Sequence, residues 1–514
     1  MVHAWVPKND AYIDIKRSAS GPVVEGLRSH AAGHRIPSAS GEVPDGVFFS
    51  WDWDGSRLSV RNCRYGLYPL YYFVRDGGIC LSMSIPRLLL QGAPTDLDEA
   101  AVALFLRLGW FCGEDTPFRH IRTVPPAAHF EWRDGRLDVS GARPQIKPQT
   151  MDRDAAIDAY IELFRDAMAK RATSDDIGLP LSGGRDSRRI LLELNAQGRR
   201  PRECVTVRHP PPRHNEDARC ATMLAEAVGA PHVILDPHPS RMREEMRKNL
   251  LTSFCCDELA EMLRVVDHLE GNVAHVYDGL GGNFVSADPY LEPKGVALYE
   301  ARDWDALADH FMGAWEPNEE IAFKSFLRPE QNARFGRELA KERLMRELPR
   351  FQDDPRPTSS FIFWTRQRRE VAQGSYGLFD AGQTVFVPFL DHALFDVMTS
   401  LPSSMFMDHK FHTDTILRAY PAFAHIPFED KYAKLAESRA YARRIALDLA
   451  AYLMRRGKSR FVNLTYVLPR LFRCAVDGDR RGIDYFYPVL VLWLVQLEAM
   501  IEACSRDTRA AEAA

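Results

Sequence analysis

Alternating apolar and polar positions dominate the first part of the chain and predict antiparallel β-structure. Residues 46–72, GVFFSWDWDGSRLSVRNCRYGLYPLYY, contain such runs on both sides of an Asp54-Gly55 turn. A second hairpin is predicted where Asp134-Gly135 separates HFEWR from RLDVS, and a helix is predicted at residues 100–108. The first domain is therefore expected to be mostly β and to end near residue 145.

A change of period at Asp152 indicates a second domain. Apolar residues then recur at the spacing of one helical face, namely Ile157, Tyr160, Ile161, Phe164 and Met168. Short apolar segments that predict strands alternate with helical patterns: strands at 177–181, 204–207, 232–235 and 273–277, and helices at 187–196 and 216–228. This alternation predicts a parallel sheet covered on both faces, and the remaining residues are predicted to be almost entirely helical.

The segment ARPQIKPQT, residues 142–150, has two prolines and no periodicity and is typical of a linker. It separates a predicted first domain, residues 1–145, from a second, residues 150–514. A chain of 514 residues is long enough for two or three compact units.

Composition then excludes several classes of protein. Hydrophobic residues make up 46% and charged residues 26%, and the net charge of −4 predicts no partnership with nucleic acid or a membrane. The nine cysteines include no CxxC, and the N-terminus lacks a secretory apolar stretch, so a cytoplasmic location is expected. The most apolar stretch near the C-terminus, residues 485–501, is interpreted as a buried helix.

The segment from Ser182 to Ser187, SGGRDS, follows a predicted strand and precedes a predicted helix. Glycines let backbone N–H groups approach an anion closely, and the helix adds its positive N-terminal end, so phosphate oxygens can be held there. Asp186 is then placed to hold Mg²⁺. Neither GxxxxGK[ST] nor GxGxxG is matched, and a plain glycine turn capped by serine is the alternative.

SGGxDS after a strand resembles the pyrophosphate loop of the ATP-pyrophosphatase superfamily. Three further stretches resemble the asparagine-synthetase group within it: NEDARCATMLAEAVGAPHVIL at 215–235, VPFLDHALFDVMTSLP at 387–402 and GLYPLYY at 66–72. The resemblance implies an α/β fold: a degenerate, β-rich domain like those of the Ntn hydrolases, then a doubly wound parallel-sheet PP-loop synthetase domain with a helical C-terminal part. It also implies ATP and Mg²⁺ as cofactors.

The resemblance further implies a set of site residues. Those expected to bind ATP or pyrophosphate are Ser182, Gly183, Gly184, Arg185, Asp186, Ser187, Val207, Gly279 and Gly281. Asp186 and Asn283 are the expected metal ligands, and Asp186 and Lys431 the expected catalytic residues. Lys434 is a rival to Lys431, and the cluster Arg366, Arg368 and Arg369 is expected either to face an anion or to be a solvated helix face.

Two departures from the family pattern change the expected chemistry. Glutamine-dependent members begin with a cysteine after Met1, whereas this chain has Val2 and its first cysteine is Cys63, which is interpreted as a small buried residue. The first domain is therefore expected to be truncated and inactive as a glutaminase. In the segment like the family's SGxGxDE, Leu280 replaces an acidic residue or tyrosine, and Asn283 replaces a metal-binding Asp.

The sequence thus predicts an ATP-dependent, AMP-forming ligase that adenylates a carboxylate, of a peptide or a small molecule, and couples it to an amine. The nearest resemblance is to the lasso-peptide macrolactam synthetases and β-lactam synthetases, which implies a precursor peptide and a leader-processing protein as partners. One alternative is an amide synthetase that acts on a sugar acid or another metabolite with free ammonia or an amine. Another is a catalytically dead scaffold that binds nucleotide.

Overall fold

The structure is a computed structural model. It describes residues 10–19, 21–37, 44–172, 174–209, 215–288, 290–315, 319–379, 382–429, 438–479 and 487–512.

Two five-stranded antiparallel sheets form the first domain. Their strands are β1 Tyr12–Ser18, β2 Gly21–Gly26, β3 Ser29–Gly33, β4 Phe48–Trp53, β5 Arg57–Asn62, β6 Tyr71–Arg75, β7 Gly78–Ser82, β8 Arg122–Thr123, β9 His129–Arg133 and β10 Arg136–Ser140. The strand orders are β2-β1-β7-β6-β8 and β10-β9-β5-β4-β3. Alternate residues such as Ile15, Leu81, Trp51 and Phe130 point into one apolar core between the sheets.

The hairpins predicted around Asp54-Gly55 and Asp134-Gly135 are confirmed as β4–β5 and β9–β10. Strands β1 to β3 were not predicted. Most residues of β2 and β3 are exposed or half-buried, so these strands lack the apolar alternation that identifies a strand with one buried face.

A five-stranded parallel sheet forms the centre of the second domain. Its strands are β11 Ile177–Pro180, β12 Glu203–Val207, β13 His232–Leu235, β14 His275–Tyr277 and β15 Thr384–Phe386. The order is β13-β12-β11-β14-β15, and every neighbouring pair is parallel. The four predicted strands are confirmed as β11 to β14, with ends that differ by at most two residues. Strand β15 has only three residues and was too short to be recognised in the sequence.

Helices account for most of the remaining structure. They are α1 Ile85–Leu90, α2 Glu99–Leu108, α3 Arg153–Lys170, α4 Asp186–Ala196, α5 Glu216–Ala227, α6 Arg241–Leu251, α7 Met262–Leu269, α8 Gly282–Ser286, α9 Pro293–Ala301, α10 Trp304–Trp315, α11 Glu319–Phe326, α12 Pro329–Arg334, α13 Arg337–Glu347, α14 Pro357–Ile362, α15 His392–Ser400, α16 Phe411–Ala419, α17 Arg439–Arg456, α18 Leu464–Asp477 and α19 Pro488–Glu512. Two π-helical segments, Phe363–Val371 and Gly374–Leu378, follow α14. Such segments are rare and frequently occur at functional sites.

Helix α19 contains the apolar stretch near the C-terminus. Within the described part of the chain, one helix is long and apolar enough, by length and composition alone, to cross a membrane. That helix is α19, over Pro488–Ser505. Its residues Val491, Leu492 and Trp493 are buried in the fold, and the Trp493 indole N–H donates to the Phe254 carbonyl at 3.2 Å. The predicted buried helix is therefore present.

Buried charges join the two domains. Arg171, at the end of α3, donates to Asp391 at 3.1 Å and to Asp45 of the first domain at 3.4 Å. Burial is the largest influence on Asp45 and raises its pKa to about 6. Burial also acts on Asp391, but the hydrogen bond from Asp45 and the charge of Arg171 outweigh it and lower the pKa of Asp391 to about 2.

This interface predicts a pH-dependent gain in stability for Asp45→Asn. Because the pKa of Asp45 is higher in the folded protein than the ordinary 3.8, its ionised form costs stability. The cost is absent below about pH 4 and complete above about pH 6. We expect the variant to be more stable at pH 8 by about 1–3 kcal/mol, a few degrees in Tm, and unchanged near pH 4.

Thermal denaturation at both pH values measures this effect. Asp138→Asn is the control, because the Asp138 side chain is 74% exposed and should give no pH-dependent difference. A lower Tm for Asp45→Asn at pH 8 would show that the ionised carboxylate stabilises the interface.

Candidate nucleotide and substrate site

Two loops meet at the carboxyl edge of the parallel sheet. The phosphate loop, Ser182 to Ser187, follows the central strand β11, and the second loop, Asp278 to Asn283, follows its neighbour β14. Strands β12 and β13 extend the sheet on one side of β11, and β14 and β15 extend it on the other. The order therefore reverses between β11 and β14, which is where open α/β sheets bind ligands.

Internal hydrogen bonds fix the shape of the phosphate loop. The Ser187 hydroxyl accepts from the Ser182 N–H at 2.9 Å, and the Ser182 hydroxyl accepts from the Gly184 N–H at 3.2 Å. The Gly183 N–H donates to Asp217 at 2.7 Å. A β-carbon on Gly183 would lie 2.9 Å from that of Cys220, so this position requires glycine.

The end of α4 that faces the loop is suited to an anion. Among the described residues no side chain caps this helix, which begins at Asp186, so its N-terminal donors and positive dipole face the loop. Arg185 donates to the Thr413 hydroxyl at 2.6 Å, and Arg188 donates to the Ile426 carbonyl at 2.9 Å. The two arginines therefore hold neighbouring segments against the loop rather than projecting freely from it.

The two loops touch at Asp186. A β-carbon on Gly279 would lie 2.8 Å from Cβ of Asp186, and one on Gly282 would lie 2.4 Å from its carboxylate Oδ1. Gly281 has a positive φ of 88°, and a β-carbon there would meet Leu390 at 2.4 Å. Glycines in the second loop thus let its backbone pack directly on the carboxylate expected to bind Mg²⁺.

Helix α16 contacts the phosphate loop, and this contact was not predicted from the sequence. The His412 ring nitrogen Nδ1 lies 3.4 Å from Asp186 Oδ1, and His412 is fully buried. Burial, with the charges of Arg189 and Arg185, keeps the pKa of His412 well below its ordinary value, so the ring is neutral. Its neighbour Thr415 accepts from Arg189 at 3.0 Å.

A cavity of about 310 Å³ opens beside the two loops. Its wall combines apolar side chains with Asp186, Asp278 and Asn283, which all present oxygen atoms. Carboxylate and amide oxygens are the ligands that Mg²⁺ prefers, so this donor set fits the ion. Asp278 was quoted within the second loop but was not predicted to be a site residue. Its Oδ1 accepts from the Leu280 N–H at 2.7 Å, and burial raises its pKa.

Two further residues predicted for the site, Val207 and Lys431, belong to neither of the two loops. Val207 lies at the carboxyl end of β12, one strand away from the phosphate loop. Lys431, its rival Lys434 and Val2 lie outside the described residues. Close to Lys431, however, the Glu429 N–H donates to the Gly183 carbonyl at 3.0 Å, so the chain reaches the phosphate loop immediately before that lysine.

The arginine cluster does not form the solvated face that was one of its two interpretations. Arg366, Arg368 and Arg369 are all buried. Arg368 donates to the Val124 carbonyl at 3.0 Å and Arg369 to the Asp115 carbonyl at 2.8 Å, so both are bound to the first domain. The interpretation was wrong because these arginines lie in the π-helical segment Phe363–Val371, which is packed against neighbouring elements along most of its length. Arg366 alone of the three lines the cavity.

A comparison with protein families finds a match, and it covers this part of the chain. Residues 159–284 match the family model for asparagine synthase. The match runs from α3 to α8 and therefore includes both loops of the site. It supports an asparagine-synthetase-like domain and, in general terms, an ATP-dependent ligase that forms amide bonds. No curated protein matches the chain.

The cysteines of the protein bear on its source of nitrogen. All nine are buried, including Cys63. A nucleophilic thiol must be accessible to its substrate, and a buried thiol is not. We therefore predict that the protein, given Mg-ATP and glutamine as sole nitrogen source, releases no glutamate above background, as measured by a coupled glutamate assay. Glutamate release that Cys63→Ala removes would show the opposite.

Proposed function

We propose that this protein is an AMP-forming ligase that activates a carboxylate as an acyl-adenylate and couples it to an amine without glutaminase activity. The observation that carries the proposal is the contact of the phosphate loop with the second loop at Asp186, beside a cavity of substrate size. A carboxylate is a poor acyl donor, whereas AMP is a good leaving group, so adenylation precedes amide formation.

In this proposal the carboxyl edge of the sheet would hold ATP. Val207 would contact the nucleoside, and the phosphate loop and the N-terminus of α4 would hold the phosphates. Asp186, Asp278 and Asn283 would provide oxygen ligands for Mg²⁺, which would neutralise phosphate charge. Lys431 would stabilise charge on the reacting α-phosphate, supported by the contact of Glu429 with the phosphate loop.

The narrower form of the proposal is that amine and carboxylate belong to one peptide, so that the product is a macrolactam. It rests on the resemblance of the chain to lasso-peptide synthetases, and it implies cytoplasmic action with a precursor peptide and a leader-processing protein. Loss of one water from a candidate peptide, detected by mass spectrometry with retention of a single chain, tests this form. Amide formation on a sugar acid with free ammonia would contradict the macrolactam form and favour the alternative amide synthetase.

Product analysis tests the general proposal. The purified protein is incubated with Mg-ATP, a panel of peptide and small-molecule carboxylates, and hydroxylamine, which captures acyl-adenylates. We expect AMP, pyrophosphate and the hydroxamate of the accepted carboxylate. ADP and phosphate in place of AMP and pyrophosphate would refute adenylation, and the absence of nucleotide turnover with every carboxylate would favour the nucleotide-binding scaffold.

A further inference from the structure

An acidic cluster lies behind one wall of the cavity. Asp257, Glu258 and Glu370 each place a carboxylate oxygen within 4.8 Å of the other two. Glu258 lines the cavity itself, whereas Asp257 and Glu370 stand behind it. Burial, the largest influence on Asp257, Glu258 and Glu370, raises the pKa of all three. Because the three carboxylate groups lie so close together, their mutual repulsion favours a positive charge beside them.

Among the described residues, the neighbouring cations do not fully neutralise this cluster. Arg366 shares its guanidinium among Glu258 at 2.8 Å, Glu370 at 3.1 Å and the Tyr290 hydroxyl at 2.7 Å. Lys248 is paired with a fourth carboxylate, Glu245, at 3.2 Å. The Arg366 guanidinium thus contacts two of the three carboxylates of the cluster. Even when Asp257 and Glu370 share a proton, a surplus of negative charge remains at the cavity wall.

We infer that Glu258 binds the ammonium group of the amine substrate and accepts its proton before the amine attacks the acyl-adenylate. This inference rests on the proposed function and concerns the same cavity. It assigns the proton acceptor to a segment between α6 and α7, away from the second loop, where Leu280 replaces the acidic or tyrosine residue of the family pattern.

The apolar residues of the cavity indicate which kind of side chain the amine substrate carries. Leu259, Met262, Ile362 and Val371 contribute apolar surface to the wall that includes Glu258. An amine with an apolar or aromatic side chain would bury that part there while its ammonium group reaches the carboxylate. A carboxylate ligand is disfavoured at this wall, because Arg366 is already engaged by two carboxylates and would have to release one.

The ammonium group transfers one proton to the Glu258 carboxylate, giving a neutral amine and a carboxylic acid. The amine nitrogen forms a bond to the acyl carbon, and the bond from that carbon to the AMP oxygen breaks with its electron pair on AMP. The second N–H proton leaves with the AMP phosphate. Glu258 then returns its proton to water, since its side chain is 55% exposed.

Ligand binding tests the inference without the need for turnover. Benzylamine is the probe, benzyl alcohol its neutral isostere and benzoate its anionic one, and binding is measured by calorimetry on the full chain. We expect benzylamine to bind more tightly than either isostere. Glu258→Gln should lower the affinity for benzylamine by about tenfold or more, which is the usual effect of losing a charge-assisted hydrogen bond. It should leave the affinity for benzyl alcohol unchanged.

Glu261→Gln is the matched control. Glu261 is three residues away, its side chain is 53% exposed, close to that of Glu258, and it pairs with Arg241 at 2.8 Å. It should not change benzylamine binding. Equal benzylamine affinities for the wild type and Glu258→Gln, or tighter binding of benzoate, would overturn the inference.

A second measurement separates this inference from the proposed function. The wild type should release AMP and form hydroxamate with hydroxylamine, which is already neutral at pH 7 and has no ammonium proton to transfer. In Glu258→Gln the ratio of benzylamine coupling to hydroxamate formation should fall by at least about a hundredfold, the usual contribution of general-base catalysis. Unimpaired coupling to benzylamine would remove Glu258 from the reaction, whereas loss of AMP release in the wild type would refute the ligase itself.

Discussion

Asp186→Asn is expected to abolish exchange of labelled pyrophosphate into ATP. The variant keeps the shape of the side chain but loses a negative charge at a site where Asn283 already contributes only a neutral oxygen. Metal-assisted charge stabilisation contributes several kcal/mol, so exchange should fall by about a thousandfold or more. The measurement is exchange with a carboxylate identified from the panel, together with binding of Mg-ATP.

The control for this variant is Asp166→Asn. Asp166 is an exposed residue of α3, and its replacement should leave exchange unchanged. If Asp186→Asn retained exchange within about tenfold of the wild type, Asp186 would have no role in binding the metal. Asp278→Asn would then become the next variant to examine, because Asp278 lines the same cavity.

Gly282→Ala should lower exchange by about a hundredfold, a smaller loss than that of Asp186→Asn, although glycine carries no chemistry. A methyl group there would lie 2.4 Å from the Asp186 carboxylate, so either the carboxylate or the backbone of the second loop must move. Displacing a metal ligand by an ångström commonly costs about a hundredfold in rate. Overpacking should also lower the free energy of unfolding by about 1–3 kcal/mol.

Gly313→Ala provides the matched control for glycine replacement. Gly313 lies in α10, and a β-carbon there would meet nothing within 4 Å. Alanine should therefore stabilise the helix by up to about 1 kcal/mol and leave exchange unchanged. Full activity of Gly282→Ala would mean that the contact between the two loops is dispensable for catalysis.

Several parts of the fold follow from local pattern alone. The Asp54-Gly55 and Asp134-Gly135 turns predicted their hairpins because an Asp-Gly pair accepts the backbone dihedrals of a tight turn. The four predicted parallel strands were recognisable as short apolar runs between helical patterns. Strands β2 and β3 were not recognisable, because exposed strands have no apolar alternation.

The candidate site, like the fold, was predicted from the sequence only in part. Glycines, serines and an aspartate between a strand and a helix identified the phosphate loop, because the chemistry of anion binding lies within six consecutive residues. The roles of His412, Asp278 and Glu258 were not predicted. His412 is 226 positions from Asp186 along the chain, and no local signal connects the two.

The sequence by itself therefore determined the strand and helix periods, the turn positions and the chemistry of the phosphate loop. The tertiary structure alone decided which distant side chains share the cavity and which charges are buried. It turned the arginine cluster inward, with Arg368 and Arg369 bound to the first domain and Arg366 placed beside Glu258. The physical reason is that periodicity and turn propensity depend on neighbouring residues, whereas burial and ion pairing depend on packing between segments far apart in the chain.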